Sequence, residues 1–263
     1  MKIILNADDF GKNKEANEAI KYCFEKGYCT QASLMTSFGK ATEDAVEMAK
    51  EYGFFDKIGC HINLREGAPM SEKIKNISAY VKDGVFLQAS DAEDKMAEIY
   101  RFNPKYIAPL QDELRRQIEK FLSFEPSFMH CDFHHSVHCQ IPIAIAMRPL
   151  LKEYGFQSAR GRVYRHNFTK QWETFTGMVD HLFFWGKNVK KADISFNYDG
   201  FLRWGEKHPM EDKFVEIFSH PEMINGQCID RYTRENKIIK ETIGEVLAQY
   251  QNTPIVTYRD LVK

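Results

Sequence analysis

Two aspartates stand side by side at Asp8 and Asp9, directly after the apolar run 2–6. Adjacent carboxylates that a strand carries into an interior cannot both stay ionised without a cation, because desolvation and mutual repulsion push one of them strongly up. A divalent metal removes that conflict. Capping of the next helix is the structural alternative, but Gly11, Lys12 and Asn13 separate the pair from the helical pattern that follows, and Asn13 is the better cap.

A second group of polar residues lies at 127–138, where four of the nine histidines fall within nine residues. With the two-residue period of a strand, His130, Asp132, His134, Ser136 and His138 share one face, and Met129, Cys131, Phe133 and Val137 share the other. At ~3.3 Å per residue, His130 and His134 would stand ~13 Å apart along an extended strand. The spacing therefore allows at most one of them as a direct metal ligand. The rest would orient that ligand or bind substrate, with Asp132 the natural hydrogen-bond partner for an imidazole. His61 follows a third strand-like run and Gly59, whose missing side chain lets a ligand approach. One Asp, His61 and one histidine of the cluster would make an N/O set suited to zinc or another first-row ion, with positions left for water and substrate.

These groups need elements to position them. The apolar run 2–6 reads as a strand, and Asn13 opens a helical pattern closed by Gly27. Strand and helix alternate again: strand 32–36, helix 42–52, strand 57–63, strand 127–132, helix 141–154. Further strands are expected at 156–162, 192–197, 213–219 and 254–258, with a long helix over 233–250. About eight strands alternating with helices in one 263-residue chain predict a single-domain α/β protein. Its expected form is a distorted (β/α) barrel of the TIM-barrel type, with an open doubly wound sheet as the alternative. Residues 65–114, which contain Pro69, Gly84 and Pro104, read as an elaborated loop region. In either architecture ligands gather at the carboxyl ends of the strands, where Asp8, Asp9, His61, the histidine cluster and Ser219-His220 fall.

Composition narrows the function classes. A net charge of -1, from 36 basic and 37 acidic residues, provides no positive field to collect nucleic acid or an anionic membrane. No run approaches the ~20 apolar residues of a membrane span. The opening residues lack the long apolar stretch of a secretory signal. Six cysteines without a CxxC pair fit free thiols in a reducing compartment, so a cytoplasmic protein is expected. The residues leave the oligomeric state open, a homodimer included.

The strings Asn6-Ala-Asp-Asp-Phe-Gly11, Gly59-Cys-His-Ile-Asn-Leu64 and His130-Cys-Asp-Phe-His-His-Ser-Val-His138 occur in the order and spacing of one family. With 30–35 and 255–261, they make the whole chain resemble the YdjC-like carbohydrate deacetylases, the chito-oligosaccharide deacetylase family. That family resembles the NodB-type polysaccharide deacetylases, with a distorted (β/α) barrel and an Asp-His-His metal site. The resemblance implies Asp9, His61 and His134 as ligands of one divalent ion, zinc or magnesium, and Asp8 as base. Two motifs depart from the family pattern. Phe133 and Ser136 replace a Ser and a His, and Glu222 replaces the glycine of a His-Pro-Gly motif.

The implied reaction is hydrolysis of the acetamide of an N-acetylated amino sugar. The metal would polarise the carbonyl and acidify water, Asp8 would take the proton, and His220 is the candidate general acid. Other readings are a metal-dependent phosphoesterase or another amidohydrolase, and a sugar-binding barrel that keeps the metal without turnover.

Overall fold

A computed structural model describes residues 1–88, 101–164, 169–184, 186, 188–205 and 210–263. Its strands are β1 Lys2–Phe10, β2 Gln31–Met35, β3 Ile58–Ile62, β4 Val81–Lys82, β5 Val85–Phe86 and β6 His130–Phe133. They continue with β7 Ser158–Ala159, β8 Ile194–Asn197, β9 Phe214–Ser219, β10 Pro221–Ile224, β11 Gln227–Asp230 and β12 Ile255–Val256. The main sheet is parallel and runs β7-β6-β3-β2-β1-β9-β8, with β12 paired to β1. Single parallel bridges, Ser158 to Lys190 and Val163 to Ser195, bring its two outer edges together. The sheet is thus a curled, incompletely closed barrel with helices on its outer face, the expected distorted barrel.

β1 is buried along its whole length after Lys2, as a strand covered on both faces must be. The helix Lys14–Lys26 starts where expected: the Asn13 side chain accepts the Ala16 N–H at 2.7 Å, and Gly27 ends it at φ 71°. Its buried stripe of Ala16, Ala19, Ile20 and Cys23 has the spacing that turns one helix face to a core.

Two stretches differ from the sequence expectation. The region 65–114 is not loop throughout, because the helix Pro104–Leu122 begins within it. The Gln117 side chain on that helix accepts from the Asn63 backbone N–H at 2.9 Å and donates to the Asn63 carbonyl at 2.6 Å. Glu113, one turn earlier, accepts the Ser71 N–H at 2.6 Å. The helix therefore fixes the chain that leaves β3. In 233–250 the helix is confined to Ile243–Gln249 after a 3-10 turn at Ile239–Glu241. The Thr233 hydroxyl accepts the Lys237 N–H at 2.9 Å and the Asp230 N–H donates to the Lys237 carbonyl at 2.8 Å, so both backbone groups that a longer helix would use at Lys237 are committed elsewhere.

Candidate metal centre

In a regular strand, Asp8 and Asp9 would face opposite sides of the sheet. The register of β1 against β2 shifts between Ala7 and Phe10, and Asp9 sits at φ 71°, a left-handed conformation costly for a non-glycine residue. The bulge turns both carboxylates inward at the open end of the barrel. Gly11 follows at φ 85°, where a Cβ would stand 2.8 Å from the Met35 carbonyl. The turn that presents the pair therefore requires glycine there.

His61 on β3 neighbours Asp132 on β6 in register. Its Nδ1 lies 2.6 Å from the Asp132 carboxylate, so Asp132 holds the ring and aims Nε2 at Asp9, 3.2 Å away. Asp132 in turn accepts from Ser33 at 2.5 Å and lies 3.0 Å from the Arg160 guanidinium.

His134 lies one residue past the end of β6, and the chain does not continue as a strand. It folds into 3-10 turns with His135 and Ser136 both at φ 54°. This overturns the extended reading of 127–138, in which His130 to His138 share one strand face. The fold brings His134 Nδ1 to 2.9 Å from Asp9 Oδ1, while its Nε2 lies 3.1 Å from Glu66. Lys12 closes the far side of Glu66 at 2.8 Å.

Asp9 Oδ1, His61 Nε2 and His134 Nδ1 are therefore buried, close together and without hydrogen-bond partners. Buried polar atoms left in that state are rare. Around a tetrahedral zinc with ~2.1 Å bonds, ligand atoms stand roughly 3.4 Å apart. The separations of 3.2 and 2.9 Å from Asp9 are close to that, and the O/N/N donor set could hold a first-row divalent ion. Without a cation the group holds protons instead. Burial pushes the His61 imidazole down, but Asp132 and Asp9 outweigh it and raise it to about 10. Burial likewise opposes charge on His134, and Asp9 and Glu66 raise it. Asp9 is pushed up by burial yet held well below the carboxylate range by His134 and His61.

Asp8 faces a different partner. The Arg160 guanidinium, just past β7, grips it with two bonds of 2.6 and 2.7 Å, and Asn6 donates to it at 2.7 Å. Arg160 Nε donates to Glu216 at 2.6 Å. His220 Nε2 lies 3.7 Å from Asp8, and its ring stands edge-on to Tyr232 at 4.4 Å. Burial lowers His220 to about 4 against the pull of Asp8 and Asp9, so it is neutral at pH 7.

Two residues read from the sequence as orienting or substrate-binding groups lie elsewhere. His130 stacks on Tyr258 at 3.5 Å and bonds Ser158 at 2.8 Å, deeper in the barrel. Gly59 makes room for that ring, not for a ligand: a Cβ there would meet His130 Cδ2 at 2.8 Å. His138 donates to the Gly161 carbonyl at 3.1 Å and packs on Phe133 and Phe183. Arg160, Glu66 and Lys12 are missed by the sequence reading. Arg160 had a signal, since it falls at the carboxyl end of an expected strand.

A parallel barrel with a buried Asp-His-His group at the carboxyl ends of its strands defines a narrow class. The chain belongs to the YdjC-like protein family, whose model matches residues 2–246. It is 27% identical to a carbohydrate deacetylase of Clostridium beijerinckii over 99% of this chain and all of that protein. It is 32% identical to one of Brevibacillus brevis over 59% of this chain and 57% of that protein. A crystal structure from Enterococcus faecalis V583, of a protein named for cellobiose-phosphate cleavage, has the same fold. The TM-score is 0.71 at 18% identity, covering all of this chain and 99% of the other. Among the described residues no helix is long and apolar enough to cross a membrane.

Proposed function

We propose that the protein is a metal-dependent carbohydrate deacetylase that hydrolyses the acetamide of an N-acetylated amino sugar. The observation that carries this reading is the convergence of Asp9 Oδ1, His61 Nε2 and His134 Nδ1, buried and without hydrogen bonds. The names of the family's relatives supply the substrate class. Asp9, His61 and His134 would hold one divalent ion, zinc or magnesium. When bound, such an ion polarises an amide carbonyl and brings the pKa of water toward ~7.

The chain's own residues do the rest. Asp8 is the base, and Arg160 fixes its carboxylate by two bonds so that it faces the cavity shared with His220. As the C–O bond forms, Asp8 takes the proton that water loses. As the C–N bond breaks, that proton must reach the nitrogen. His220 is neutral beforehand and lies 3.7 Å from Asp8, which suits it to relay the proton and not to supply one of its own. The products are acetate and the free amine.

The test is acetate release from a range of N-acetylated mono- and oligosaccharides, with protein stripped by a chelator and then reloaded with zinc or magnesium. Turnover that disappears with the metal and returns with it is expected. Turnover indifferent to the chelator would refute the metal dependence, and no turnover with any sugar would refute the activity.

A further inference from the structure

Two cavities meet at the site, and they divide the aspartate pair between them. A cavity of ≈ 280 Å³ opens over Asp8 and Arg160 and is walled by Phe133 and Phe218. A smaller one of ≈ 100 Å³ lies beyond Asp9, lined by Lys12, Ala16, Glu222 and Arg231. His220 and Tyr232 line both, so they form the partition between them. An N-acylated sugar divides in the same way, into a ring on the nitrogen side of the amide and a short acyl group on the carbonyl side.

Building on the amide-hydrolase reading, we propose that the smaller cavity receives the acyl group and that Glu222 sets its depth. Glu222 stands where the family pattern has glycine, and its side chain is committed on both oxygens. Oε2 lies 2.9 Å from Arg231 Nε, and Oε1 accepts from Asn13 Nδ2 at 3.3 Å. These bonds strap β10 and the residue after β11 to the cap of the helix Lys14–Lys26, across the cavity. Arg231 is anchored in turn by its backbone N–H on the His220 carbonyl at 3.0 Å. Glycine at this position would leave the cavity open and Arg231 without its partner. Lys12 lines the same wall, 3.8 Å from Asp9 Oδ2, and places a positive charge where the acyl group becomes a carboxylate.

At ≈ 100 Å³ against ≈ 280 Å³, this cavity is the smaller of the two spaces and so suits the smaller part of the substrate. A surplus methylene that a pocket does not seat costs about 10-fold or more in kcat/KM. The experiment uses the metal-loaded protein and the sugar identified by acetate release, N-acylated with formyl, acetyl, propionyl or butyryl. The wild type should lose about 10-fold or more per added methylene beyond acetyl. Glu222→Gly should raise the butyryl-to-acetyl ratio by about 10-fold or more. Ala16→Val, which fills the cavity from the opposite wall, should raise the formyl-to-acetyl ratio and keeps the test open if the glycine variant does not fold. A wild type that hydrolyses butyryl and acetyl substrates equally, or a Glu222→Gly protein that folds with an unchanged ratio, would overturn the acyl-pocket assignment alone. No turnover across the whole series would overturn the hydrolase reading beneath it.

Discussion

Asp9 and Glu216 are both buried carboxylates of the barrel interior, Asp9 at the open end and Glu216 some strand residues below it, and they are satisfied in opposite ways. Glu216 accepts from Arg160 Nε at 2.6 Å and Ser195 at 2.7 Å, and from the Tyr258 hydroxyl. Asp9 Oδ1 has only two histidine nitrogens beside it, at 3.2 and 2.9 Å, and no amide, hydroxyl or guanidinium donor among the described residues. A carboxylate that serves the fold is surrounded by donors. Asp9 is surrounded instead by groups that could share a cation with it, on a backbone held in a left-handed conformation. Arg160 joins the two regions, since one guanidinium reaches Asp8, Asp132 and Glu216.

Substitutions on either side should fail differently. The largest expected effect is that of Asp8→Asn, which removes the base and keeps the ligands. Its kcat should fall roughly 10²- to 10⁴-fold, the span of general acid-base contributions, with metal content near that of the wild type. Metal analysis beside steady-state rates checks this, and a protein that loses its metal would erase the division between Asp8 and Asp9.

Glu216→Ala leaves Arg160 with Asp8 and Asp132 but takes the acceptor from three buried donors, Arg160 Nε, Ser195 and Tyr258. Each buried donor left unsatisfied costs about 1–3 kcal/mol, which together lowers the melting temperature of a chain of this size by roughly 10 °C. The variant should still bind metal. A loss of metal with unchanged melting would show that the deeper carboxylate belongs to the site and not to its support.

The smallest effect should come from Asp132→Asn, which weakens the hold on His61 without touching a ligand. Affinity for zinc should fall about 10- to 100-fold, the usual consequence of altering a group that orients a metal-binding histidine. Competition with a chelator of known affinity measures it, and an unchanged affinity would mean that Asp132 serves Asn6, Ser33 and Arg160 and not the cation site.

Much of this arrangement is legible in the residues, and the reasons differ from place to place. The strand-helix alternation and the helix bounded by Asn13 and Gly27 follow local rules of periodicity and capping, which tertiary contacts reinforce. An aspartate pair after one apolar run marks Asp8 and Asp9, and a lone histidine at the end of another marks His61. The role of Gly59 was not legible, because its neighbour His130 lies on a different strand. The turn at His135 and Ser136 was not legible either, since two consecutive non-glycine residues adopt a left-handed backbone that such residues rarely take. Period-two reasoning applied past Phe133 therefore places His134 and His138 on one face, whereas the chain turns His134 back to Asp9 and sends His138 to Gly161. Glu66 depends on the helix Pro104–Leu122 fixing a loop some forty residues earlier in the sequence, a long-range effect that no local pattern carries.

The central claim is that Asp9, His61 and His134 form a cation site while His130, equally buried on the neighbouring strand end, belongs to the fold. Zinc titration by calorimetry in two buffers of different ionisation enthalpy tests it most directly. The wild type should bind one equivalent and release protons at pH 7, because zinc must displace the proton that His61 otherwise holds up to about pH 10, and apparent affinity should rise with pH. His130→Ala should bind the same equivalent with a lowered melting temperature, and His134→Ala should bind none. A His134→Ala protein that retains its zinc, or a His130→Ala protein that loses it, would contradict the assignment.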